Sequence, residues 1–352
     1  KRPTPEGGSQ EGTADPKPLV REVQPKADLI SKLKARVHGQ NHVIDAVASR
    51  LVMARKGLAG KAKTKPDGVF LFAGPTGVGK TELAKSIAEE IYGDAGQHMI
   101  RIDCSEYYDK WAISRLTGSN PGYVGYDNSS AALTNQVKLH PDGCVILLDE
   151  FEKAAPEVML LFLQMFDDGR FTDGHGQTAD LSECVFIMTS NLGASAFTKK
   201  DLGFSQTEQV NMDDLNRDRS EDVNKAIRKG LPLELFNRLD GSFVFNALSE
   251  ELITEIASVK LEKVALEVSE VGYQLEFQPG VAEIVAKADW DPALGARPLL
   301  RSIDRLVREP LADLDQGTYL VKPGDEDVLF EACASSEPDQ PSEDAADLDQ
   351  AA

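Results

Sequence analysis

The amino-acid sequence predicts an α/β protein, in which helices cover both faces of a parallel sheet and a smaller, mostly helical domain follows. Four short apolar runs alternate with segments of helical pattern: Val69–Ala73, Met99–Ile102, Cys144–Leu148 and Val185–Met188. Strands that are apolar throughout are typical of a parallel sheet buried on both faces. The later part of the chain has a mainly helical pattern, with predicted helices at Ser249–Val268, Gly280–Lys287 and Arg297–Leu314 and a short strand near Val328–Phe330.

The composition divides the 352 residues into four segments. Residues 1–26 are rich in Pro, Gly, Glu and Lys, and residues 333–352 are polar and acidic. Neither segment has enough apolar residues for a core, so we expect a disordered leader and a disordered tail. Between them we place the large α/β domain at residues 27–245 and the small helical domain at residues 246–332.

The charge, the cysteines and the length of the apolar runs disfavour several classes of protein. The net charge of -20 disfavours a general role in nucleic-acid binding. No apolar run approaches the roughly 18 residues that a membrane span requires. The four cysteines form no CxxC pair, which favours reduced, buried thiols over disulfides or zinc ligands. With no secretory signal visible, we predict a cytoplasmic protein, and a mitochondrial or plastid location stays open.

The first apolar run leads into a phosphate-binding loop with the pattern GxxxxGK[ST]. Its residues are Gly74, Pro75, Thr76, Gly77, Val78, Gly79, Lys80 and Thr81. Glycines let backbone N–H groups curl around phosphate oxygens, and the helix that follows offers its positive N-terminus. We expect Lys80 to reach the terminal phosphates of ATP and the Thr81 hydroxyl to be a ligand of Mg²⁺.

Two further strand ends complete the predicted site. The third run ends in Asp149 and Glu150, and the fourth leads into Asn191. We expect Asp149 to hold the Mg²⁺ and Glu150 to act as the general base that polarises the attacking water. Asn191 stands where a polar side chain could orient that water, and an ordinary turn residue is the alternative.

Together these motifs resemble the Clp family of AAA+ unfoldases, most closely the C-terminal ATPase module of ClpA, ClpB and ClpC. The resemblance covers about residues 35–331. It is carried by the stretches Val37–Gln40, Gly74–Thr81, Pro121–Tyr126, Leu147–Ala154, Asp167–Gly174, Leu235–Asp240 and Gly295–Leu299. It implies the AAA+ form of the fold and an ATPase that threads polypeptides through the pore of a homo-hexamer. The 352 residues contain one ATPase module where those proteins have two, and upstream domains stay open.

The resemblance also assigns roles to individual residues. Val37 and His38 would line the adenine pocket, although the family usually has an aliphatic residue where His38 stands. Asn191 would be the sensor asparagine, and Arg297 the sensor arginine that contacts nucleotide in the same subunit. Arg238 would be the arginine finger, which reaches the γ-phosphate bound by a neighbouring subunit; a guanidinium suits this role because it is always charged and donates in a fork.

A glycine-flanked aromatic segment indicates a protein substrate. Tyr123 and Val124 stand between Gly122 and Gly125, and an exposed aromatic residue in such a loop favours a binding role. In the family this loop lines the pore and grips an extended polypeptide. The aromatic ring of a tyrosine can contact varied side chains and does not require a particular sequence. The segment Gly174–Gln177 resembles the second pore loop. The alternative is a tyrosine packed against its own domain.

Partner choice depends on a tripeptide. ClpA and ClpC carry an apolar tripeptide that docks into pockets of the ClpP peptidase, and ClpB-like disaggregases lack it. Leu202, Gly203 and Phe204 match that type in an otherwise polar segment, as a peptide-like anchor requires. We therefore predict an unfoldase that feeds a ClpP-type peptidase. The alternative is a stand-alone remodeller of ClpB type, with Leu202 and Phe204 packed on their own domain.

Two other classes of function stay open. A nucleic-acid motor is disfavoured by the acidic charge and by the Gly-Tyr-Val-Gly loop. A non-catalytic adaptor built on an inactive ATPase is disfavoured by the complete set of expected site residues, which are Lys80, Thr81, Asp149, Glu150, Asn191, Arg238 and Arg297.

Overall fold

The computed structural model describes residues 23–333, except 61–63, 119–131, 196, 198–211 and 292–293. The strands are β1 (Gly68–Ala73), β2 (Met99–Asp103), β3 (Val145–Asp149), β4 (Arg170–Thr172), β5 (Thr178–Asp180), β6 (Val185–Ser190), β7 (Gly241–Val244), β8 (Tyr273–Phe277), β9 (Gly317–Pro323) and β10 (Val328–Ala332).

The helices in the described part of the chain range from one turn to five or six. They are α1 (Lys26–Arg36), α2 (Asn41–Arg55), α3 (Lys80–Tyr92), α4 (Ile113–Thr117), α5 (Leu133–Lys138), α6 (Pro156–Asp168), α7 (Met212–Gly230), α8 (Leu233–Phe236), α9 (Glu250–Ser269), α10 (Val281–Lys287), α11 (Arg297–Ile303) and α12 (Glu309–Leu311). A π-helical turn at Asp304–Arg308 joins the last two, so the predicted helix at Arg297–Leu314 is not α-helical throughout.

The central sheet has five parallel strands in the order β2-β3-β6-β1-β7. Every residue of β1 and β6 is buried, as expected for strands covered on both faces. The four predicted strands are therefore confirmed. The edge strand β7 escaped prediction because three of its four residues are only partly buried or exposed, so it shows no apolar run.

Alternate residues of each strand face two separate apolar clusters. Phe70 and Phe72 of β1 belong to the cluster that includes residues of α1, α2 and α3. Val69 and Leu71 belong to the cluster on the other face, with residues of α5, α6 and α7. Burial of a large apolar side chain contributes about 1.5–3 kcal/mol, so both layers hold the sheet and its carboxyl edge in place.

The C-terminal part combines helices α9 to α12 with a three-stranded sheet in the order β10-β9-β8. The pair β8 and β9 is parallel, and β9 and β10 are antiparallel. Of these strands the sequence predicts only β10. Strand β8 alternates between partly buried and exposed residues, so its sequence has no apolar run. In the part of the chain that the structure describes, no helix is both long and apolar enough to span a bilayer.

Candidate functional site

The strand register brings the predicted motifs to one edge of the sheet. Ala73 at the end of β1 pairs with Ser190 at the end of β6, and Leu148 of β3 pairs with Met188. The residues that follow these strands therefore emerge side by side at the carboxyl edge. Ligands of open parallel sheets bind at this edge.

The phosphate loop takes the backbone conformation for which its glycines are needed. Gly74, Gly77 and Gly79 have φ angles of 137°, 70° and 103°, values that residues with a Cβ rarely adopt. Gly79 directly precedes α3, so the open N–H groups of the first helical turn lie next to the loop. The loop and helix N-terminus together form an anion site.

Lys80 is buried, and its ammonium group donates three hydrogen bonds. Its Nζ donates to the carbonyl oxygens of Gly74 at 2.6 Å and Pro75 at 2.7 Å, and to Asn191 Oδ1 at 2.8 Å. These three bonds use all three protons of the ammonium group. A phosphate that enters the loop must therefore replace some of them.

The surroundings of Lys80 place its titration close to neutral pH. Burial lowers its pKa from 10.5 to about 8, because the charged form loses hydration, and the nearby Arg297 acts in the same direction. Glu152 and Asp149 oppose the shift and are outweighed. Lys80 is charged below this pKa, which is the form that attracts phosphate.

We expect nucleotide affinity to fall as pH rises through about 8. Binding of phosphate requires the charged ammonium, so a nucleotide must drive uptake of a proton above that pH, and its affinity at pH 9 should be about tenfold weaker than at pH 7. Titration with a fluorescent ADP between pH 7 and 9.5 measures this. Lys80→Arg is the control, because guanidinium stays charged and should give a flat profile. A flat profile in the unchanged chain would contradict the lowered pKa.

The acidic pair at the end of β3 is held by a hydroxyl. Thr189 donates to Asp149 Oδ1 and accepts a hydrogen bond from the backbone N–H of Glu150 at 3.0 Å. Glu150 has a φ of 52° and is the sole residue other than glycine with positive φ among those described. Such strain is typical of functional sites, where the surrounding structure imposes it.

Asn191 connects the phosphate loop to the acidic pair. Its Oδ1 accepts from Lys80, and its Nδ2 donates to Glu150 Oε1 at 3.3 Å. Its backbone N–H donates to Glu152 Oε1 at 3.0 Å. The amide is therefore oriented at both ends, next to the carboxylate predicted to act as the base.

A cleft of about 720 Å³ joins these groups to the C-terminal part of the chain. Its lining contains Val37, His38, Asp149, Glu150, Asn191 and Arg297, as well as the loop residues 76–81. The other two loop residues, Gly74 and Pro75, lie beneath, where Lys80 binds their carbonyls. Hydrophobic side chains to which the sequence analysis assigned no role also line it, and these are Leu248, Ile256 and Leu299.

The cleft is closed at one end by direct contact between the two parts of the chain. The backbone N–H of Ala296 donates to the Gly77 carbonyl at 3.0 Å. A Cβ on Gly295 would lie 2.7 Å from the same oxygen, so only glycine fits there. The buried Gln40 exchanges two hydrogen bonds with the Asn246 backbone, at 3.0 and 3.1 Å. These contacts place the arginine after Ala296 beside the phosphate loop.

His38 lies at the apolar end of the cleft. Its Nδ1 is 3.0 Å from Glu255 Oε1 of helix α9, and 14% of its side chain is exposed. The ring stands where the family usually has an aliphatic residue, and its Nδ1 is matched by the Glu255 carboxylate. His38 and Val37 therefore provide a flat and an aliphatic surface that suit a purine base.

Arg238 stands apart from this cleft. Its Nε contacts Asp167 Oδ2 at 2.5 Å, and its Nη1 donates to the Glu234 carbonyl at 2.7 Å. It is not among the described residues that line the cleft. The predicted pore residues Tyr123 and Val124 and the predicted docking residues Leu202, Gly203 and Phe204 lie outside the described residues.

The oxygen donors of the cleft suit Mg²⁺. Thr81 and Asp149 line it together, and Mg²⁺ prefers few protein oxygens combined with water and phosphate ligands. No cluster of three or more His, Cys, Asp or Glu side chains able to hold a metal occurs among the described residues. The Thr81 hydroxyl and the Asp149 carboxylate are oxygen donors of the type that Mg²⁺ takes when nucleotide and water supply its other ligands.

A parallel sheet with this loop, lysine and acidic pair at its carboxyl edge defines a P-loop nucleotide-binding protein. The family described as "AAA domain (Cdc48 subfamily)" matches residues 65–242. The domain described as "C-terminal, D2-small domain, of ClpB protein" matches residues 248–318. The chain belongs to the AAA+ ATPase family, in its Clp branch, as the sequence predicted.

Relatives of known sequence support this assignment. The chain is 42% identical over 280 residues to the chaperone protein ClpB of Vibrio vulnificus, an alignment that covers 80% of this chain and 31% of that protein. It is also 42% identical over 282 residues to "Negative regulator of genetic competence ClpC/MecB" of Bacillus subtilis, covering 80% of this chain and 34% of that one. The chain thus spans about a third of the length of these relatives.

A solved structure shares the fold. A closed state of Hsp104 with ATPγS and FITC casein, reconstructed by cryo-electron microscopy, superposes with a TM-score of 0.76 at 33% identity. The alignment covers 89% of this chain and 53% of that one. The predicted fold class, an AAA+ parallel sheet with a small helical C-terminal domain, is therefore confirmed.

Proposed function

We propose that this chain is the ATP-hydrolysing module of a ring-forming protein remodeller that pulls polypeptides through a central pore. The observation that carries the proposal is the cleft that gathers Lys80, Asp149, Glu150, Asn191 and Arg297 between the sheet and the C-terminal part. Each of these groups has a distinct part in hydrolysis of a bound triphosphate.

In the proposed mechanism the loop and helix α3 bind the phosphates. Backbone N–H groups of the loop and the helix N-terminus meet phosphate oxygens, and Lys80 transfers its hydrogen bonds from Gly74 and Pro75 to the nucleotide. Val37 and His38 pack against the base. Thr81 and Asp149 would hold Mg²⁺, which supplies charge neutralisation between the phosphates.

Glu150 and Asn191 act on the attacking water. Asn191 fixes the carboxylate through its Nδ2 while its Oδ1 contacts the phosphate-binding lysine. The Glu150 carboxylate takes the proton as the water attacks the γ-phosphate. Arg297 stabilises the phosphate charge from the C-terminal part, so nucleotide state is coupled to the angle between the two parts. Arg238 serves the site of a neighbouring subunit, which requires a homo-hexameric or similar ring.

Tyr123 and Val124 are proposed to grip the polypeptide. Support comes from their sequence and from the Hsp104 structure, which contains casein. The loop begins just after α4, and Thr117 at the end of α4 accepts a hydrogen bond at 2.8 Å from Gly174, in the turn between β4 and β5. The predicted second pore loop is therefore joined by a hydrogen bond to the end of α4.

The proposal is tested by the ATP-dependent loss of fluorescence of a tagged fluorescent protein. We expect the unchanged chain to unfold the fluorescent protein. Tyr123→Ala should lose this unfolding and retain ATP hydrolysis, because the aromatic side chain is proposed to hold the polypeptide and takes no part in the hydrolysis of ATP. Tyr108→Ala is the matched control, since Tyr108 is an exposed tyrosine between β2 and α4, 76% accessible. Unfolding that persists in Tyr123→Ala would contradict the assignment of the grip.

A second candidate adds a partner peptidase of ClpP type. It is favoured by the apolar tripeptide Leu202-Gly203-Phe204 in a polar segment and by the similarity to a ClpC protein. The similarity to ClpB and Hsp104 favours a stand-alone remodeller equally. Adding the ClpP of the same organism to the fluorescence assay separates them. Degradation that Phe204→Ala abolishes would establish the coupled function, and unfolding without degradation would establish the stand-alone one.

A further inference from the structure

An arginine on strand β2 forms an ion pair with Asp149, the acid that is proposed to hold the metal. Arg101 lies in the middle of β2, and its Nη2 is 2.6 Å from Asp149 Oδ2. Its side chain lines the same cleft as the phosphate loop. None of the motifs in the sequence assigns a role to this residue.

The contact leaves Asp149 with both oxygens engaged. Oδ1 accepts from the Thr189 hydroxyl, and Oδ2 accepts from the Arg101 guanidinium. A divalent ion that binds at Oδ2 meets the positive charge of the guanidinium there, so the two cations compete for this oxygen. Thr189 is buried, with 2% of the residue exposed, and also binds the Glu150 backbone, so the arginine is the partner that can be exchanged.

The exposure of the two side chains shows which of them can move. The Asp149 side chain is 14% accessible and is fixed at the end of a buried strand, whereas that of Arg101 is 53% accessible. The arginine can turn into solvent at little cost, because ion pairs exposed to this degree contribute at most about 1 kcal/mol. The pair is therefore weak enough to yield to a divalent cation.

We propose that Arg101 is a positioning residue that holds Asp149 in the nucleotide-free site and competes with Mg²⁺ for its carboxylate. The inference rests on the proposed function, because it takes Asp149 as the acid that holds the metal. Two cations at one carboxylate also repel each other. Removal of the guanidinium should therefore strengthen the effect of Mg²⁺ on nucleotide binding.

The test is the ratio of the Kd of a fluorescent ADP in EDTA to its Kd in saturating Mg²⁺, measured on the full chain. In Arg101→Gln we expect this ratio to rise about fivefold, which equals about 1 kcal/mol at 1.4 kcal/mol per tenfold. Arg101→Lys keeps the charge and should stay within about twofold of the unchanged chain. The matched control is Arg305→Gln, because Arg305 is also 53% accessible and pairs with Asp289 at 3.1 Å, and neither residue lines the cleft.

The outcomes separate this inference from the proposed function. A ratio that is unchanged or lower in Arg101→Gln, with Mg²⁺-dependent binding intact in the unchanged chain, would overturn the inference alone. A Kd that rises equally in EDTA and in Mg²⁺ would also overturn it, because Arg101 would then bind phosphate. If the unchanged chain binds no nucleotide, both the inference and the proposed function are wrong. Circular dichroism of each variant verifies that it is folded.

Discussion

Replacing Glu150 with glutamine is expected to slow ATP hydrolysis by about 10²–10⁴-fold, the usual contribution of a general base, while nucleotide still binds. Glutamine keeps the size of the side chain and can still meet Asn191, which lies 3.3 Å from the Glu150 carboxylate. It has no basic oxygen to take the proton of the attacking water. The variant should therefore accumulate in the ATP-bound form.

Two measurements on the same protein make this prediction specific. The turnover rate reports the chemical step, and fluorescent-ADP binding reports the integrity of the cleft. Glu157→Gln is the matched control, since Glu157 is exposed in the first turn of α6 and lies outside the cleft; its turnover should be unchanged. Hydrolysis at the normal rate in Glu150→Gln would remove Glu150 as the base.

The sequence predicted best those site residues that lie in one short segment or directly after an apolar strand. The phosphate loop needs eight consecutive residues, and its strand and helix adjoin it, so spacing alone placed Lys80 and Thr81 together. Asp149 and Asn191 were predicted because each ends an apolar run, and parallel strands share a carboxyl edge. The structure brings all four to the same cleft.

The residues that escaped prediction act through contacts between distant segments. Arg101 is an ordinary charged residue of a strand until the pairing of β2 with β3 sets it beside Asp149. Gln40 carries no motif chemistry of its own, and its role appears only when the Asn246 backbone lies against it. Such pairings depend on the register of strands and on the docking of the C-terminal part, which local patterns do not encode.

Arg297 and Arg238 could be assigned roles only through a family resemblance. An arginine is most often a solvated surface residue, and neither has a flanking chemical signature. The structure separates the two: Arg297 lines the cleft of its own chain, whereas Arg238 pairs with Asp167 at a distance from that cleft.

Replacing Arg238 with alanine is expected to lower turnover by about 10³–10⁵-fold, the range found for arginine fingers, with little change in nucleotide binding. Its own cleft lacks contact with this side chain, so the loss must arise at the site of a neighbour. Folding should survive, because Lys65 also contacts Asp167, at 3.6 Å, and remains as its partner. Turnover close to normal in Arg238→Ala would show that another group supplies the charge.

A mixing experiment decides whether the arginine acts in trans. Arg238→Ala keeps an intact base, and Glu150→Gln keeps an intact arginine, so each variant alone should be nearly inactive. In a mixed ring, the site of an Arg238→Ala subunit receives the arginine of a Glu150→Gln neighbour, and turnover should reappear. Arg238→Ala mixed with the double variant Arg238→Ala/Glu150→Gln is the control, because no subunit then donates an arginine. If the first mixture is as inactive as the control although both variants assemble, Arg238 does not act across a subunit boundary.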